Sequence, residues 1–234
     1  MKNKHSLLLC SLLLCVGFFA CNRVKDYIEP HTLLIFPTDP GHFRISLVQD
    51  TTYDTGGPVP AAYYKKEVNG GLETDLTGRT IQAIEIFRSP EELGQNYQFT
   101  LSRVWAQYIE PVEGQNYYAE RIEENVRTLI LKFPVYEGIR WNGNLYNNRG
   151  VQEYKYGNID TTVVVRGRSF PNCVVVIQKA DTSGFINKKF AYEIYSPEIG
   201  LVKKYDRSLV FDGPNGEFNP DKSRIYVEEI IENN

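Results

Sequence analysis

Apolar and polar positions alternate along most of this chain. In Phe43–Tyr53, Phe43, Ile45 and Leu47 fall on one side while Arg44 and Ser46 fall on the other. That is the period of two expected of a strand with one packed and one wet face. Tyr97–Ala106 repeats it more cleanly, with Tyr97, Phe99 and Leu101 opposed to Gln98, Thr100 and Ser102. Thr80–Arg88 places Ile84 and Ile86 together, and Thr128–Phe133 does the same with Leu129, Leu131 and Phe133. The densest stretch is Phe170–Tyr205. It holds a β-branched run (Cys173–Gln178), an aromatic run (Phe190–Tyr195) and Leu201–Tyr205, which follows the turn Ser196-Pro197-Glu198-Ile199-Gly200.

Further strands are expected at Tyr117–Glu123, Glu153–Gly157, Thr161–Arg166 and Ser223–Ile231, with a short edge strand at His31–Pro37. Tyr63–Val68 fits either strand or helix. Turn chemistry separates these runs at Thr38-Asp39-Pro40-Gly41, Asn69-Gly70-Gly71, Asn158 and Asp212-Gly213-Pro214-Asn215-Gly216. Ser89-Pro90-Glu91-Glu92 is the one good helix start, with Ser89 as N-cap, and it leads into no more than a turn. Roughly ten strands with turns every ~8–12 residues predict a mainly β chain: a single antiparallel domain, barrel-like or a curved open sheet, over residues 31–234.

The N-terminus breaks the alternation. Lys2 and Lys4 precede an apolar run, Ser6–Ala20, too short for the ~20 residues of a membrane-spanning helix. Residues 1–20 read as a secretory signal peptide. The small residue Ala20 directly before Cys21 resembles the lipobox of bacterial lipoproteins, in which that Cys becomes the acylated N-terminus. Residues 21–30 would then be a lipidated tether and the membrane a partner through that lipid. The alternative is ordinary secretion with Cys21 a bystander. Cys10 and Cys15 leave with the signal, so Cys173 is the remaining thiol; it sits in an apolar run and reads as an inert buried group.

Charge adds exclusions. The full chain carries 26 basic and 29 acidic residues, and Lys2 and Lys4 leave with the signal. No basic patch interleaved with aromatics stands out, which argues against nucleic-acid binding. His31 and His42 make a poor start for a metal site, and no nucleophile elbow, phosphate loop or dinucleotide fingerprint occurs. Adjacent carboxylates such as Glu123-Glu124 and Glu228-Glu229 point to opposite sides of a strand and cannot flank one bond. No cofactor, metal site or catalytic residue is therefore expected.

One loop offers candidate chemistry. Trp141-Asn142-Gly143-Asn144-Leu145-Tyr146 combines aromatic faces with amides, the groups that sugars contact. Trp141, Asn142, Asn144 and Tyr146 are the candidate ligand-binding residues. The competing reading is that Asn142-Gly143 makes a tight turn and Trp141 plugs a barrel end. Trp105, in a strand, reads as core.

The pairing of FPNCVVVIQ (170–178) with YEIYSPEIGLVKKY (192–205) resembles a pattern of β-rich bacterial envelope proteins, carried by Tyr195, Pro197, Gly200, Leu201, Val202 and Lys203. Leu76-Thr77-Gly78-Arg79, Phe133-Pro134 and Trp141-Asn142-Gly143-Asn144 are similar to segments of Bacteroidota cell-envelope lipoproteins, broadly LolA-like or lipocalin-like in fold. The resemblance implies a lipid-anchored outer-membrane protein and no catalytic residues. Two functions from different classes follow. One is non-catalytic binding of a hydrophobic ligand or glycan in a concave apolar interior. The other is a structural lipoprotein docking a protein partner. A hydrolase is the third possibility.

Overall fold

The computed structural model describes residues 34–109, 117–181, 187–212 and 215–234. The signal peptide, Cys21 and the tether expected over residues 1–30 lie outside the described residues. The chain runs through β1 (Phe43–Asp54), β2 (Gly57–Thr74), β3 (Thr80–Pro90), β4 (Thr100–Ile109), β5 (Tyr117–Glu123), β6 (Val126–Phe133) and β7 (Arg140–Asn142). It continues through β8 (Glu153–Tyr156), β9 (Thr161–Val165), β10 (Arg168–Asp181), β11 (Asn187–Ser196), β12 (Gly200–Phe211) and β13 (Phe218–Asn233). A short 3₁₀ turn, Glu91–Leu93, follows β3.

All thirteen strands join one antiparallel sheet in the order β6-β5-β4-β3-β2-β1-β13-β12-β11-β10-β8-β7, with β9 hanging on β10. The sheet is nearly closed and barrel-shaped. β1 through β6 form an unbroken meander, as sequential strands tend to. β13 then inserts between β1 and β12, pairing with Arg44 through Thr52 on one side and with Lys203 through Phe211 on the other.

Closure is made at β6 and β7 by single bonds rather than a ladder. The Leu129 N–H donates to the Gly143 carbonyl at 2.9 Å. The Trp141 indole donates to the Leu129 carbonyl at 2.9 Å. The Tyr156 hydroxyl takes the Lys132 N–H at 3.0 Å and donates to the Lys132 carbonyl at 2.5 Å. Gly143 can occupy this seam because it lacks a side chain. A Cβ there would lie 2.5–2.8 Å from ring atoms of buried Tyr154. Gly143→Ala is therefore expected to cost about 1–3 kcal/mol as an overpacking change. The check is the urea midpoint, and an unchanged midpoint would show that the Tyr154 ring is not held in place.

The floor of the barrel is the segment before β1. Ile35 and Phe36 are buried and pack in a cluster with Leu131, Phe133, Trp141, Tyr156 and Leu201. Amide side chains tie the segment down: Asn69 Nδ2 donates to the Pro37 carbonyl at 2.9 Å, and Gln82 Nε2 to the Thr38 carbonyl at 2.7 Å. A second, smaller cluster involves the β9–β10 hairpin. Arg166 and Gly167 take positive φ at its tip, as a two-residue hairpin turn needs. Val165, Phe170 and Cys173 pack there against Ile194, Val202 and Ile230. Cys173 is a buried free thiol donating to the Phe170 carbonyl at 3.3 Å, and burial raises its pKa.

Several sequence expectations change at this level. The described part of the edge strand expected over His31–Pro37 is not strand: Leu34 is helical and Ile35 and Phe36 form a turn and bend, both packed into the apolar cluster instead of pairing. The ambiguous Tyr63–Val68 is strand, and Asn69-Gly70-Gly71 is not a turn but a register shift inside β2. β4 starts only at Thr100, with Leu101 56% exposed. Ser89 belongs to β3 and does not cap the 3₁₀ turn; its hydroxyl accepts the Gln98 N–H at 2.9 Å.

Candidate functional site

In the layer around β1 the polar side of the strand alternation faces the barrel interior. In β1 Arg44, Ser46 and Val48 are buried; on the other face Ile45 is buried too, while Phe43 and Leu47 are half-buried. Register sets Arg44 opposite Glu67 and Ser46 opposite Lys65. Val48 lies opposite Glu228, which in turn faces Lys204, and Lys204 faces Glu193 on β11. One layer of the interior is thus a ring of charge instead of a ring of aliphatics.

The charges are paired. Lys65 Nζ reaches Glu228 Oε2 at 2.5 Å and Glu67 Oε1 at 2.8 Å, and Arg44 also binds Glu67. Lys204 Nζ lies 2.9 Å from Glu193 Oε1. Two tyrosines complete the set, each two residues along the same strand face. The Tyr226 hydroxyl donates to Glu228 at 2.8 Å and the Tyr195 hydroxyl to Glu193 at 2.6 Å. Burial alone would raise the Glu228 carboxyl, but Lys65, Arg44 and the Tyr226 hydroxyl outweigh it and bring it down to about 2. Glu193 falls to about 2 for the same kind of reason, with Lys204 and Arg121 overcoming desolvation. Burial pulls the Lys65 ammonium down to about 8, partly offset by Glu228.

Beside this network lies a cavity of about 510 Å³. Its wall is drawn from β2, β3, β4, β5, β12 and β13 and from the loop carrying Arg149. Seven cations line it (Lys65, Arg88, Arg103, Arg121, Arg149, Lys204 and Arg224) against three carboxylates, Glu123, Asp206 and Glu228. Side-chain exposure grades from 6% at Lys65 and 8% at Arg121 to 28% at Lys204, 37% at Arg103 and 53% at Arg224. That gradient marks a closed base and an open mouth. A connected hollow of about 260 Å³ shares Arg121, Glu123, Arg149, Lys204 and Asp206 and adds Asn144, Gln152, Tyr154, Gln178 and Glu193. A separate hollow of about 430 Å³ lies beside the Asp75–Arg79 turn; its single charged lining residue, Arg79, is already engaged by Asp75 and Glu120.

Trp105 is not core. It is half-buried on β4, lines the charged cavity, and has Lys65, Arg103 and Arg121 each about 6 Å from its ring. Its indole N–H is buried and donates to no acceptor among the described residues.

The four candidate ligand residues of the 141–146 loop separate. Trp141 is 6% exposed, its N–H is spent on the seam, and its ring packs on Tyr154 and Tyr156. Asn142 Oδ1 accepts the Asn144 and Gln152 N–H groups, both at 3.0 Å. Asn144 is buried, donates to the Gly150 carbonyl at 3.0 Å and borders the smaller hollow. Tyr146 is 48% exposed with the Arg127 guanidinium 4.6 Å from its ring. The loop, which includes β7, builds the seam and turns, and of the four only Asn144 reaches the lumen. The residues that line it (Lys65, Trp105, Arg121, Lys204, Tyr226, Glu228) carry one sequence signal: charged residues at alternate positions of strand-forming runs.

No protein-family model matches the chain, and no curated protein does either. Among solved structures, one described as "a putative lipoprotein from Parabacteroides distasonis" aligns over 84% of this chain and 98% of its own, at 12% identity and a TM-score of 0.26. A superposition that loose carries no weight on fold, ligand or activity.

Proposed function

We propose that this is a lipid-anchored cell-envelope protein, held on the outer membrane through Cys21, whose barrel lumen binds a polar ligand of oligosaccharide size without converting it. The observation that carries the reading is the lumen itself. A walled cavity of about 510 Å³, joined to a second hollow lined by amides, falls in the size range of small-molecule sites. Its charged lining favours a polar ligand over a hydrophobic one. The acyl anchor rests on the signal peptide and on Ala20-Cys21. Binding is favoured over hydrolysis because Glu193 and Glu228 are held ionised by lysines. A glycosidase acid must instead keep its proton near neutral pH.

The test is native mass spectrometry of the full chain, purified in mild detergent from its own host. The expected spectrum shows a mature protein that begins at an acylated Cys21 and carries a polar adduct lost on denaturation. An unacylated N-terminus would overturn the anchor. A protein that emerges bare, and stays bare after incubation with host envelope extract, would overturn the lumen as a binding site.

A further inference from the structure

The lumen is more specific than a polar hollow. Three guanidinium groups in it have little or no carboxylate in contact, and a fourth is paired only at the exposed rim. Arg121, buried, has its nearest carboxylate oxygen at 3.9 Å, on Glu123. Arg103 is paired only with exposed Glu124. Arg88 stacks on Tyr63 and, like Arg149, has no carboxylate within 4 Å among the described residues. By contrast Lys65, Lys204 and Arg224 are matched by Glu228 and Glu67, Glu193 and Asp50. The surplus positive charge therefore sits on the β3–β5 side of the cavity, around Trp105, with the Trp105 N–H buried beside it without an acceptor. With Arg88, Arg103 and Arg121 set against Glu123, that side carries an excess of positive charge, which concentrates anions. Guanidinium forks match the planar oxygens of carboxylate and the oxygens of sulfate. The joined hollow supplies Asn144, Gln152 and Gln178, donors and acceptors suited to hydroxyls.

We propose that the ligand is an oligosaccharide bearing sulfate or carboxylate groups, with an anionic group seated between Trp105, Arg103 and Arg121. This rests on the lumen-binding reading and names the ligand class. The charged group takes the Trp105 N–H and the Arg121 fork, and the neutral part of the sugar extends toward the amide-lined hollow.

The test uses the full chain in mild detergent and isothermal titration calorimetry with four probes: a fully sulfated heparin disaccharide, the same disaccharide desulfated but keeping its carboxylate, lactose, and inorganic sulfate. Binding is expected for the two acidic disaccharides, to be weakened by salt, and to change tryptophan fluorescence in the wild type but not in Trp105→Phe. Their ratio tells which anionic group the site prefers. Lactose is expected not to bind measurably. Arg121→Gln should weaken the sulfated probe about 10- to 100-fold, the range for losing a charged hydrogen bond. Arg103→Gln, at a site exposed enough to leave folding intact, should weaken it by a smaller factor. Lactose binding as tightly as the acidic probes would overturn the charge requirement. Inorganic sulfate saturating the site at the same concentration as the disaccharide would overturn the sugar. Acidic probes that bind without sensitivity to Arg103→Gln, Arg121→Gln or Trp105→Phe are on the outer surface, which overturns the assignment. A lumen occupied in native spectra by a neutral adduct would retain the binding site and refute its proposed ligand class.

Discussion

Glu228→Ala is expected to lower the unfolding free energy by about 3–5 kcal/mol, the cost of removing one partner from a buried ion pair. The substitution strips Lys65 of its shortest contact and leaves the Tyr226 hydroxyl without its acceptor. Lys65 then shares Glu67 with Arg44, two cations on one carboxylate. Glu229→Ala is the matched control. Its side chain lies one position along on the other face, bonded to Lys203 at 2.6 Å with both side chains more than a fifth exposed. Such a pair is worth about 1 kcal/mol or less. The double variant Lys65→Met/Glu228→Leu should cost clearly less than the sum of its single changes, because no charge is left stranded. Urea titrations of the set decide it. Equal losses for Glu228→Ala and Glu229→Ala would mean that the inner ring is no more important to stability than the outer surface.

Acid should unfold the protein along a course set by the same network. In the fold, Glu193 and Glu228 are held by their lysine and arginine partners well below the ~4.3 of an unfolded chain. Their stabilisation is complete above the unfolded value and is lost as pH falls through the folded one. Both therefore make the fold less stable in acid. Lys65, titrating near 8, stays protonated throughout that window and does not blur it. Thermal midpoints should hold steady from neutral pH to about 5 and then drop steeply. Glu228→Gln should lose part of the slope, since it deletes one of the protonation events that oppose the fold. A variant whose midpoint falls in parallel with the wild type would place the acid sensitivity elsewhere.

The strand content, the antiparallel arrangement and the hairpin turns were legible in the sequence because they depend on local period and local turn chemistry. The Glu124-Asn125 reversal is an example: both residues adopt positive φ at the break expected near Asn125. The side that faces inward was not legible. Phe43, Ile45 and Leu47 form a convincing apolar face, yet Arg44, Ser46 and Val48 enter the lumen. Period alone gives parity and not sign. The sign is decided by partners on strands far away in the chain, such as Glu228 for Lys65, which no local window contains. The same distance hid the site. Trp105 read as core because aromatic residues in strands usually are, while the cations around it come from β2, β4 and β5. The Trp141 loop has the composition of a sugar site, while the Trp141 indole bonds across the seam to the Leu129 carbonyl, a partner no local window contains.

The place of β13 has a consequence for integrity rather than binding. β1–β6 and β7–β12 are each assembled from near neighbours in sequence, and β13, which follows the other twelve in chain order, joins them by strand ladders, the seam at β6 and β7 adding only single bonds. A nick or a premature stop before Phe218 would not yield a slightly smaller barrel. It would leave two half-sheets with bare twelve-residue edges at β1 and β12, each a template for pairing with another chain. Both edges are covered by the same strand, so its loss exposes them together.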